Sequence, residues 1–277
     1  MDEKRKQDKG KELSKATRQQ RAMMGENLSF AASEAYKLLR TNLQFSVSDE
    51  RCQIIGITSS VRGEGKSTTS ANLAYTFAQA GKEVLLIDAD MRLPSISAKL
   101  SIPGAPGLSN LLAGLKEERE CVQVSRQFEN WYILPAGDIP PNPSELLGSD
   151  RMKTLLNRFS KNLDVIILDL PPINIVADAL VVSQWTNGLI VVVRQNYSER
   201  KALDDCMYQI RNVNAKFLGF VMTDAGTGNS SYKRYGKYGK KYGYGYGNTD
   251  RSDKNDPKQL KSEQEKNRSL AGDAERK

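Results

Sequence analysis

The segment at residues 60–67, S-V-R-G-E-G-K-S, lies between an apolar strand pattern that ends at Thr58 and a helical pattern that begins at Lys66. A glycine-rich turn from a buried strand into a helix is typical of a phosphate-binding loop. Glycines at positive φ turn backbone N–H groups inward, and the helix N-terminus favours an anion. Lys66 is expected to reach the β- and γ-phosphates of ATP, and Ser67 to bind Mg²⁺. The residues predicted to bind this cofactor are Gly63, Glu64, Gly65, Lys66, Ser67 and Thr68.

One residue of this loop departs from the general pattern. Ser60 stands where the pattern has glycine, although the G-x-G-K-S-T core at 63–68 is intact. An ordinary glycine-rich strand-to-helix turn is the alternative that the residues leave open. The strand before the segment and the helix after it favour the phosphate loop.

Short apolar runs and amphipathic stretches alternate along the middle of the chain. The runs that predict buried strands are 52–58, 83–88, 131–135, 164–169, 188–193 and 217–222. The stretches that predict helices are 66–80, 107–115, 143–159, 177–184 and 199–212. Strands that alternate with helices predict an α/β fold of the P-loop NTPase type, with a mostly parallel sheet and helices on both faces.

Two of the predicted strands end in carboxylates. Residues 85–92 read L-L-I-D-A-D-M-R, which places Asp88 and Asp90 at a strand end, and residues 166–172 read I-I-L-D-L-P-P, which places Asp169 at another. The carboxyl edge of a parallel sheet is where α/β proteins bind ligands. One of these acids is expected to hold Mg²⁺ and another to act as a base toward a hydroxyl group. Taken singly, each Asp is more typical of a helix cap or a turn; the three together with the phosphate loop favour the ligand site.

A capped amphipathic helix is predicted over residues 33–45. Ser33 is the expected N-cap. The apolar stripe is expected to consist of Ala35, Leu38, Leu39, Leu43 and Phe45.

The ends of the chain carry its positive charge. The net charge is +8, and residues 1–25 contain 8 Lys/Arg against 4 Asp/Glu. The predicted organisation is a disordered basic segment at 1–25, a P-loop domain at 26–228, a tyrosine-rich tail at 229–247 and a disordered tail at 248–277.

Composition excludes several chemistries. The chain has no histidine, so Ser-His-Asp and Cys-His nucleophile systems and His-ligated metal sites are impossible. Its three cysteines form no C-x-x-C pair, which fits a reducing cytoplasm. We find no signal-peptide pattern and no apolar run near the roughly 18 residues that span a bilayer. Any membrane association is therefore expected to come through a partner or the basic ends.

The segment at 232–246 reads Y-K-R-Y-G-K-Y-G-K-K-Y-G-Y-G-Y and carries five basic residues and no acid. Six of the 11 tyrosines of the chain lie here: Tyr232, Tyr235, Tyr238, Tyr242, Tyr244 and Tyr246. One hypothesis is a set of phosphate acceptors, since each phosphate adds about −1.5 to −2 charge. A second is base stacking on single-stranded nucleic acid. A low-complexity tail without a role is a third.

Taken together, these motifs resemble those of the bacterial tyrosine kinases of capsular and exopolysaccharide synthesis. The resemblance covers about residues 26–246. It rests on 63–68, 85–92, 166–172, the P-P-N-P-S-E-L-L stretch at 140–147 and the tyrosine cluster. The Asp-x-Asp-x-Arg strand together with the tyrosine cluster is much more specific than the phosphate loop alone.

The resemblance implies roles for individual residues. Lys66, Asp88, Asp90 and Asp169 match catalytic positions, and Ser67, Asp90 and Asp169 match those that bind Mg²⁺. Asp88 matches the acid that activates the tyrosine hydroxyl. Three residues fall on the family's E-x-x-R-x-x-R oligomerisation pattern: Glu34, Lys37 and Arg40.

The resemblance also implies an activity and partners. We expect ATP-dependent autophosphorylation of the tyrosine cluster in trans, within a ring of identical chains. The expected partners are a separate transmembrane adaptor, which would hold the protein at the inner face of the cell membrane, and a protein-tyrosine phosphatase. No nucleic-acid partner is expected.

Three residues depart from the family pattern: Lys37 replaces an arginine, Leu170 replaces a serine or threonine, and Thr223 replaces an asparagine. Two alternatives stay open. One is a partitioning or positioning ATPase that binds DNA or membrane, although its usual second lysine is here Val61. The other is a nucleotide-bound scaffold whose tail grips RNA.

Overall fold

The computed structural model describes residues 24–47 and 51–225. After a 3₁₀ turn at Gly25–Asn27, the helices are α1 (Phe30–Ser46), α2 (Lys66–Gln79), α3 (Ile96–Leu100), α4 (Leu108–Leu112), α5 (Glu118–Cys121), α6 (Pro143–Leu147), α7 (Asp150–Phe159), α8 (Asp178–Ser183) and α9 (Arg200–Asn212). The strands are β1 (Gln53–Ser59), β2 (Val84–Asp88), β3 (Gln123–Val124), β4 (Trp131–Leu134), β5 (Val165–Asp169), β6 (Gly188–Arg194) and β7 (Phe217–Thr223).

The strands form one sheet in the order β3-β4-β2-β5-β1-β6-β7. Every pairing is parallel except that of β3 with β4. The predicted α/β fold with a mostly parallel sheet is therefore confirmed. The sheet places β1, which leads into the phosphate loop, between β5 and β6, and it pairs Asp88 of β2 with Asp169 of β5.

Both faces of the sheet are buried under helices. Alternate residues of β2 point to opposite sides, so that Leu85 belongs to one core cluster and Leu86 to the other. This arrangement follows from the two-residue period of a strand, and it explains why the strands read as continuous apolar runs.

The N-terminal helix differs from its prediction in two ways. The helix begins at Phe30, and Ser29 is its N-cap, because the Ser29 side chain accepts a hydrogen bond from Ala32 N at 3.3 Å. The predicted cap, Ser33, was wrong, since it lies one turn inside the helix. The predicted apolar stripe was also only partly right: Leu39 and Leu43 face the core, whereas Leu38 and Phe45 are 59% and 80% exposed. Residues four apart share a helix face, and Leu38 and Phe45 lie on another face.

Other elements also differ from the pattern-based prediction, and the short helices α3 and α5 were not predicted. The helix predicted over 143–159 is two helices, because Ser149 caps a new helix by accepting from Met152 N at 3.3 Å. The strand β3 was not predicted. It has only two residues, too few for a period to be visible, and it pairs at the sheet edge.

Candidate active site

The phosphate loop has the backbone geometry that its sequence predicts. Gly63 and Gly65 have φ values of 82° and 96°, and α2 begins directly after Gly65. A Cβ atom at Gly65 would lie 3.2 Å from the Thr223 side chain, in addition to the strain of positive φ. Glycine is therefore favoured at this position by its positive φ, and a Cβ atom would in addition be tight against Thr223.

A buried carboxylate shapes the loop from inside. Glu64 has no exposed surface, and it accepts hydrogen bonds from Ser60 Oγ at 2.9 Å, Val61 N at 2.9 Å and the hydroxyl of Ser198. These contacts explain why a serine replaces glycine at residue 60, since its hydroxyl is used within the loop. The Glu64 side chain braces the loop, and the residue lies within the predicted cofactor-binding segment.

The loop lysine is paired with an acid of the neighbouring strand end. Lys66 Nζ lies 2.8 Å from Asp90 Oδ2 and 3.5 Å from Ser67 Oγ. The side chains of Lys66 and Asp90 are only 13% and 6% exposed. Asp90 also accepts from Leu93 N at 3.1 Å, so both of its oxygens are used.

Asp88 and Asp169 each keep one oxygen without a partner. Asp88 Oδ2 accepts from Ser95 N and Ile96 N, both at 3.0 Å, and Asp169 Oδ1 accepts from Ser70 Oγ at 3.1 Å. Within the described part of the chain, Asp88 Oδ1 and Asp169 Oδ2 are buried and have no hydrogen-bond partner. Because a buried unpaired carboxylate oxygen is costly, these two atoms fit a site that receives a metal ion or a proton donor.

The electrostatics of the site follow from burial. Burial, and then the charge of Asp169, raise the pKa of Asp88 to about 7. Burial also raises the pKa of Asp169, against the opposing effect of Lys66. For Lys66, burial acts to lower the pKa, but Asp169, Asp90 and Asp88 together outweigh it, so the pKa is raised and the ammonium keeps its charge.

The donor set suits Mg²⁺ better than a metal that is held by protein alone. Within residues 24–47 and 51–225, no three acidic, histidine or cysteine side chains form a metal-binding group. Mg²⁺ keeps several waters and binds one or two carboxylates together with substrate phosphates, so a complete protein cage is not needed. Ser67, Asp90 and Asp169 stay the predicted ligands of such an ion; of these two acids, Asp169 has a buried oxygen without a partner, whereas Lys66 and Leu93 N use both oxygens of Asp90.

Several residues around the loop come from β6, β7 and the turn after β6; of these, Thr223 had been singled out as a departure from the family pattern, and no motif indicated the others. Thr223 Oγ1 donates to Glu64 O at 2.7 Å, and Tyr197 Oη donates to Arg62 O at 3.0 Å. Arg194 pairs with Asp224 at 2.7 Å and also lies 3.3 Å from the Gly63 carbonyl oxygen. They are far from the loop in sequence, so only the sheet order brings them to it.

The three departures from the family pattern have different surroundings. Thr223 holds the phosphate loop. Leu170 is fully buried in the core, where it and Leu189 fill the space beside Gly56. Lys37 pairs with Glu34 within α1 at 2.8 Å, and both side chains are about two-fifths exposed.

Arg40 is partly buried and contacts another helix of its own chain. Its Nη1 donates to the carbonyl oxygen of Thr76 in α2 at 2.8 Å. The role of Glu34, Lys37 and Arg40 in oligomerisation stays a prediction. The six tyrosines predicted to accept phosphate lie outside the described residues: Tyr232, Tyr235, Tyr238, Tyr242, Tyr244 and Tyr246.

Among the residues that the structure describes, no helix is both long and apolar enough to cross a membrane.

The sequence is similar to a family model and to known proteins. Residues 52–219 match the family model described as an AAA domain. The chain is 38% identical to the tyrosine-protein kinase YwqD of Bacillus subtilis, over 76% of this chain and 87% of that protein. It is 34% identical to the tyrosine-protein kinase CpsD of Streptococcus agalactiae, over 75% of this chain and 90% of that protein.

Several solved structures are similar to this chain. The kinase domain of the Escherichia coli tyrosine kinase ETK matches with a TM-score of 0.66 and 32% identity, over 72% of this chain and 79% of that one. The chimerical protein CapA2B2 matches with a TM-score of 0.67 and 36% identity, over 71% of this chain and 86% of that one. The septum site-determining protein MinD of Pyrococcus horikoshii, complexed with Mg-ADP, matches with a TM-score of 0.53 and 24% identity, over 64% of this chain and 72% of that one. This match shows a shared fold.

Proposed function

The chain belongs to the bacterial tyrosine-protein kinases, and we propose that it transfers the γ-phosphoryl group of Mg-ATP to the tyrosines of residues 232–246 on a neighbouring copy. The observation that carries the proposal is the group at the phosphate loop. Lys66 is held against Asp90, and Asp88 and Asp169 each present an unpaired oxygen beside them. A lysine, a hydroxyl and three acids at one strand edge are the parts that phosphoryl transfer to a hydroxyl requires.

Each residue is assigned a role that suits its contacts. Lys66 would exchange its contact with Asp90 for phosphate oxygens, and Ser67, Asp90 and Asp169 would hold the metal ion. Asp88 Oδ2 is occupied by two backbone N–H groups, which fixes the carboxylate and leaves Oδ1 to accept the proton of the tyrosine hydroxyl. When bound, Mg-ATP supplies the phosphoryl group and neutralises the charge that develops during its transfer.

The acceptor segment suits a reversible assembly. It carries five basic residues and six tyrosines, so phosphorylation of all six would change its net charge from +5 to about −4 to −7. A charge reversal of that size would release the segment from an acidic surface. We propose that the unmodified chains associate in a ring and that phosphorylation separates them.

The partners are proposed on the same basis. We infer that a transmembrane adaptor recruits the chain to the inner face of the cell membrane, that a phosphatase resets the tyrosines, and that the cycle regulates polysaccharide synthesis. The support for these partners is that the chain belongs to the bacterial tyrosine-protein kinases. The region that matches this chain is 29% of the tyrosine-protein kinase wzc of Salmonella typhi, so that relative joins its kinase region to further sequence.

The test uses the purified full-length chain with Mg-ATP and a peptide from the cytoplasmic end of a candidate adaptor. Intact mass should increase by successive phosphoryl groups in the wild type and not in Lys66→Met. Lys82→Met is the matched control, because Lys82 is a surface lysine, 43% exposed, and its only ion pair in the described structure is with Asp164. Labelling of Lys66→Met at the wild-type rate would end the kinase proposal.

A partitioning or positioning ATPase remains less supported. Proteins of that kind match at 22–24% identity, which shows the fold alone. Deleting residues 229–277 distinguishes the two functions. The deletion should remove all acceptor sites of a kinase, whereas a partitioning ATPase would keep its full cycle of nucleotide hydrolysis and its DNA or membrane binding.

A further inference from the structure

Arg92 makes a two-pronged ion pair with Asp178, the first residue of α8. Its Nε lies 2.8 Å from Asp178 Oδ2, and its Nη2 lies 3.1 Å from Asp178 Oδ1. The same Nη2 donates to Ser144 Oγ at 3.1 Å, and the Ser144 hydroxyl donates to Asp178 Oδ1 at 2.5 Å. The Asp178 side chain has no exposed surface, so the guanidinium and the hydroxyl compensate its charge inside the protein.

The three residues of this network come from three neighbouring strands. Ser144 lies in α6, which follows β4, whereas Arg92 follows β2 and Asp178 follows β5 by nine residues. The sheet order β4-β2-β5 makes these strands adjacent. The network therefore ties together the segments that leave the carboxyl edge of the sheet, including those that carry Asp88, Asp90 and Asp169.

The loop that contains Arg92 holds two of the catalytic acids by its backbone. This 89–95 loop, between β2 and α3, donates Leu93 N to Asp90 and Ser95 N to Asp88, and Ile96 N adds a second bond to Asp88. The positions of both carboxylates thus depend on the position of the loop. The Arg92 side chain attaches this loop to α8 through its ion pair with Asp178 and to α6 through its hydrogen bond to Ser144.

We propose that the Arg92–Asp178 pair is a positioning device for Asp88 and Asp90. It fixes the 89–95 loop, so that the loop N–H groups aim the two carboxylates at Lys66 and the metal site. Arg92, Asp178 and Ser144 act through the loop and not on the nucleotide. Ser144 belongs to the P-P-N-P-S-E-L-L stretch, so this network also gives that motif a physical role. The activity part of the test rests on the proposed function.

The informative variant is Arg92→Lys. Lysine keeps the positive charge, but it cannot form two parallel bonds to one carboxylate. Arg119→Lys is the matched control, because Arg119 lies at the surface, 83% exposed, and pairs with Glu117. Ser144→Ala is a milder variant that removes one hydroxyl from the same network and leaves the ion pair in place.

The first measurement is amide hydrogen exchange of the nucleotide-free, full-length protein. In Arg92→Lys the amides of Leu93, Ser95 and Ile96 should exchange about tenfold faster, because the loop that carries them is no longer fixed to Asp178. Ser144→Ala should produce a change in the same amides of about twofold to threefold. Amides in the central strands β1 and β5, and all amides of Arg119→Lys, should keep wild-type exchange.

The second measurement separates turnover from binding. Arg92→Lys should lower the kcat of tyrosine phosphorylation about tenfold and change the KM for ATP by less than twofold, since the lost interaction acts on the transition state. If the wild type adds no phosphate, the proposed function fails, and the hydrogen exchange still decides the positioning role.

Two results would overturn the proposal. One is wild-type exchange of the three loop amides in Arg92→Lys. The other is uniformly faster exchange across the whole sheet together with a kcat that falls only as the folded fraction falls, because that would be loss of stability alone.

Discussion

At the scale of single residues, the site combines groups that are costly to bury. Asp88 is fully buried beside Asp169, and its pKa is about 7. Glu64 is also fully buried, but three donors satisfy it. The Asp88 carboxylate therefore lowers stability at the position proposed to accept the tyrosine proton, whereas the Glu64 carboxylate holds the phosphate loop in shape.

Removing the charge of Asp88 should stabilise the protein and inactivate it. At pH 8, above its pKa of about 7, the carboxylate is ionised and repelled by Asp169. Asp88→Asn keeps an acceptor for Ser95 N and Ile96 N, so the nucleotide-free Tm should rise by about 2–4 °C. The rate of tyrosine phosphorylation should fall by about 10²-fold. Calorimetry and phosphotyrosine detection measure the two effects.

The control for this substitution is Asp204→Asn, at a side chain that is 73% exposed. It should change neither the Tm nor the rate. A lower Tm in Asp88→Asn, with activity retained, would show that the carboxylate is structural.

Glu64→Gln should weaken nucleotide binding by loosening the loop. In glutamine only one of the two terminal atoms can accept, so the hydrogen bonds donated to the other carboxylate oxygen are lost, which should cost about 1–3 kcal/mol in the free energy of unfolding. We expect about tenfold weaker binding of a fluorescent ADP analogue in the same variant. Glu117→Gln, at a surface residue that is 70% exposed, is the comparison. Unchanged ADP binding in Glu64→Gln would contradict the bracing role.

At the scale of elements, the contacts between helices divide the expected oligomerisation residues into two kinds. Arg40 donates to the Thr76 carbonyl oxygen, and so it attaches α1 to α2, the helix that begins at the phosphate loop. Glu34 and Lys37 pair only within α1 in the described structure, and both are partly exposed. The same short motif therefore contains an internal attachment and a surface pair.

Arg40→Met should destabilise the single chain, whereas Lys37→Met should not. Loss of the bond from the Arg40 guanidinium to Thr76 O should lower the free energy of unfolding by about 1.5–3 kcal/mol. Loss of an exposed ion pair should change it by less than about 0.5 kcal/mol. Urea unfolding at several protein concentrations separates this effect from dissociation of an oligomer. Equal effects of the two substitutions would argue against the internal role of Arg40.

At the scale of the whole molecule, the proposed reaction joins two chains. The active site lies at the carboxyl edge of the sheet, and the acceptor tyrosines belong to residues 232–246, outside the described residues. A variant with all six of these tyrosines replaced by Phe should bind Mg-ADP like the wild type and accept no phosphate.

Mixing this variant with Lys66→Met tests transfer between chains. The first partner has an intact active site and no acceptors, and the second has acceptors and no working lysine. Phosphate should appear on the Lys66→Met chain, as measured by its intact mass. If neither chain of the mixture is labelled while the wild type is, transfer occurs within a single chain.

The sequence alone determined the fold class, the phosphate loop and the carboxylate strand ends. These features have local causes. Positive φ requires glycine at residues 63 and 65, and a strand buried on both faces requires a continuous apolar run. For the same reason the bounds of the main strands were predicted to within about one residue. The strand β3 was missed because two residues are too few to show a period. The Ser29 cap was missed because Ser33, one turn later, is an equally good N-cap by its residue type.

The tertiary structure alone decided which distant side chains meet. The sheet order brings Thr223 and Ser198 to Glu64, and it brings Asp178 to Arg92, 86 residues away in sequence. It also decided that Leu38 faces outward and that Arg40 faces inward. Local patterns record which residues can form an element, but the partner across an interface depends on the packing of elements that are remote in the chain, and no spacing within either element encodes it.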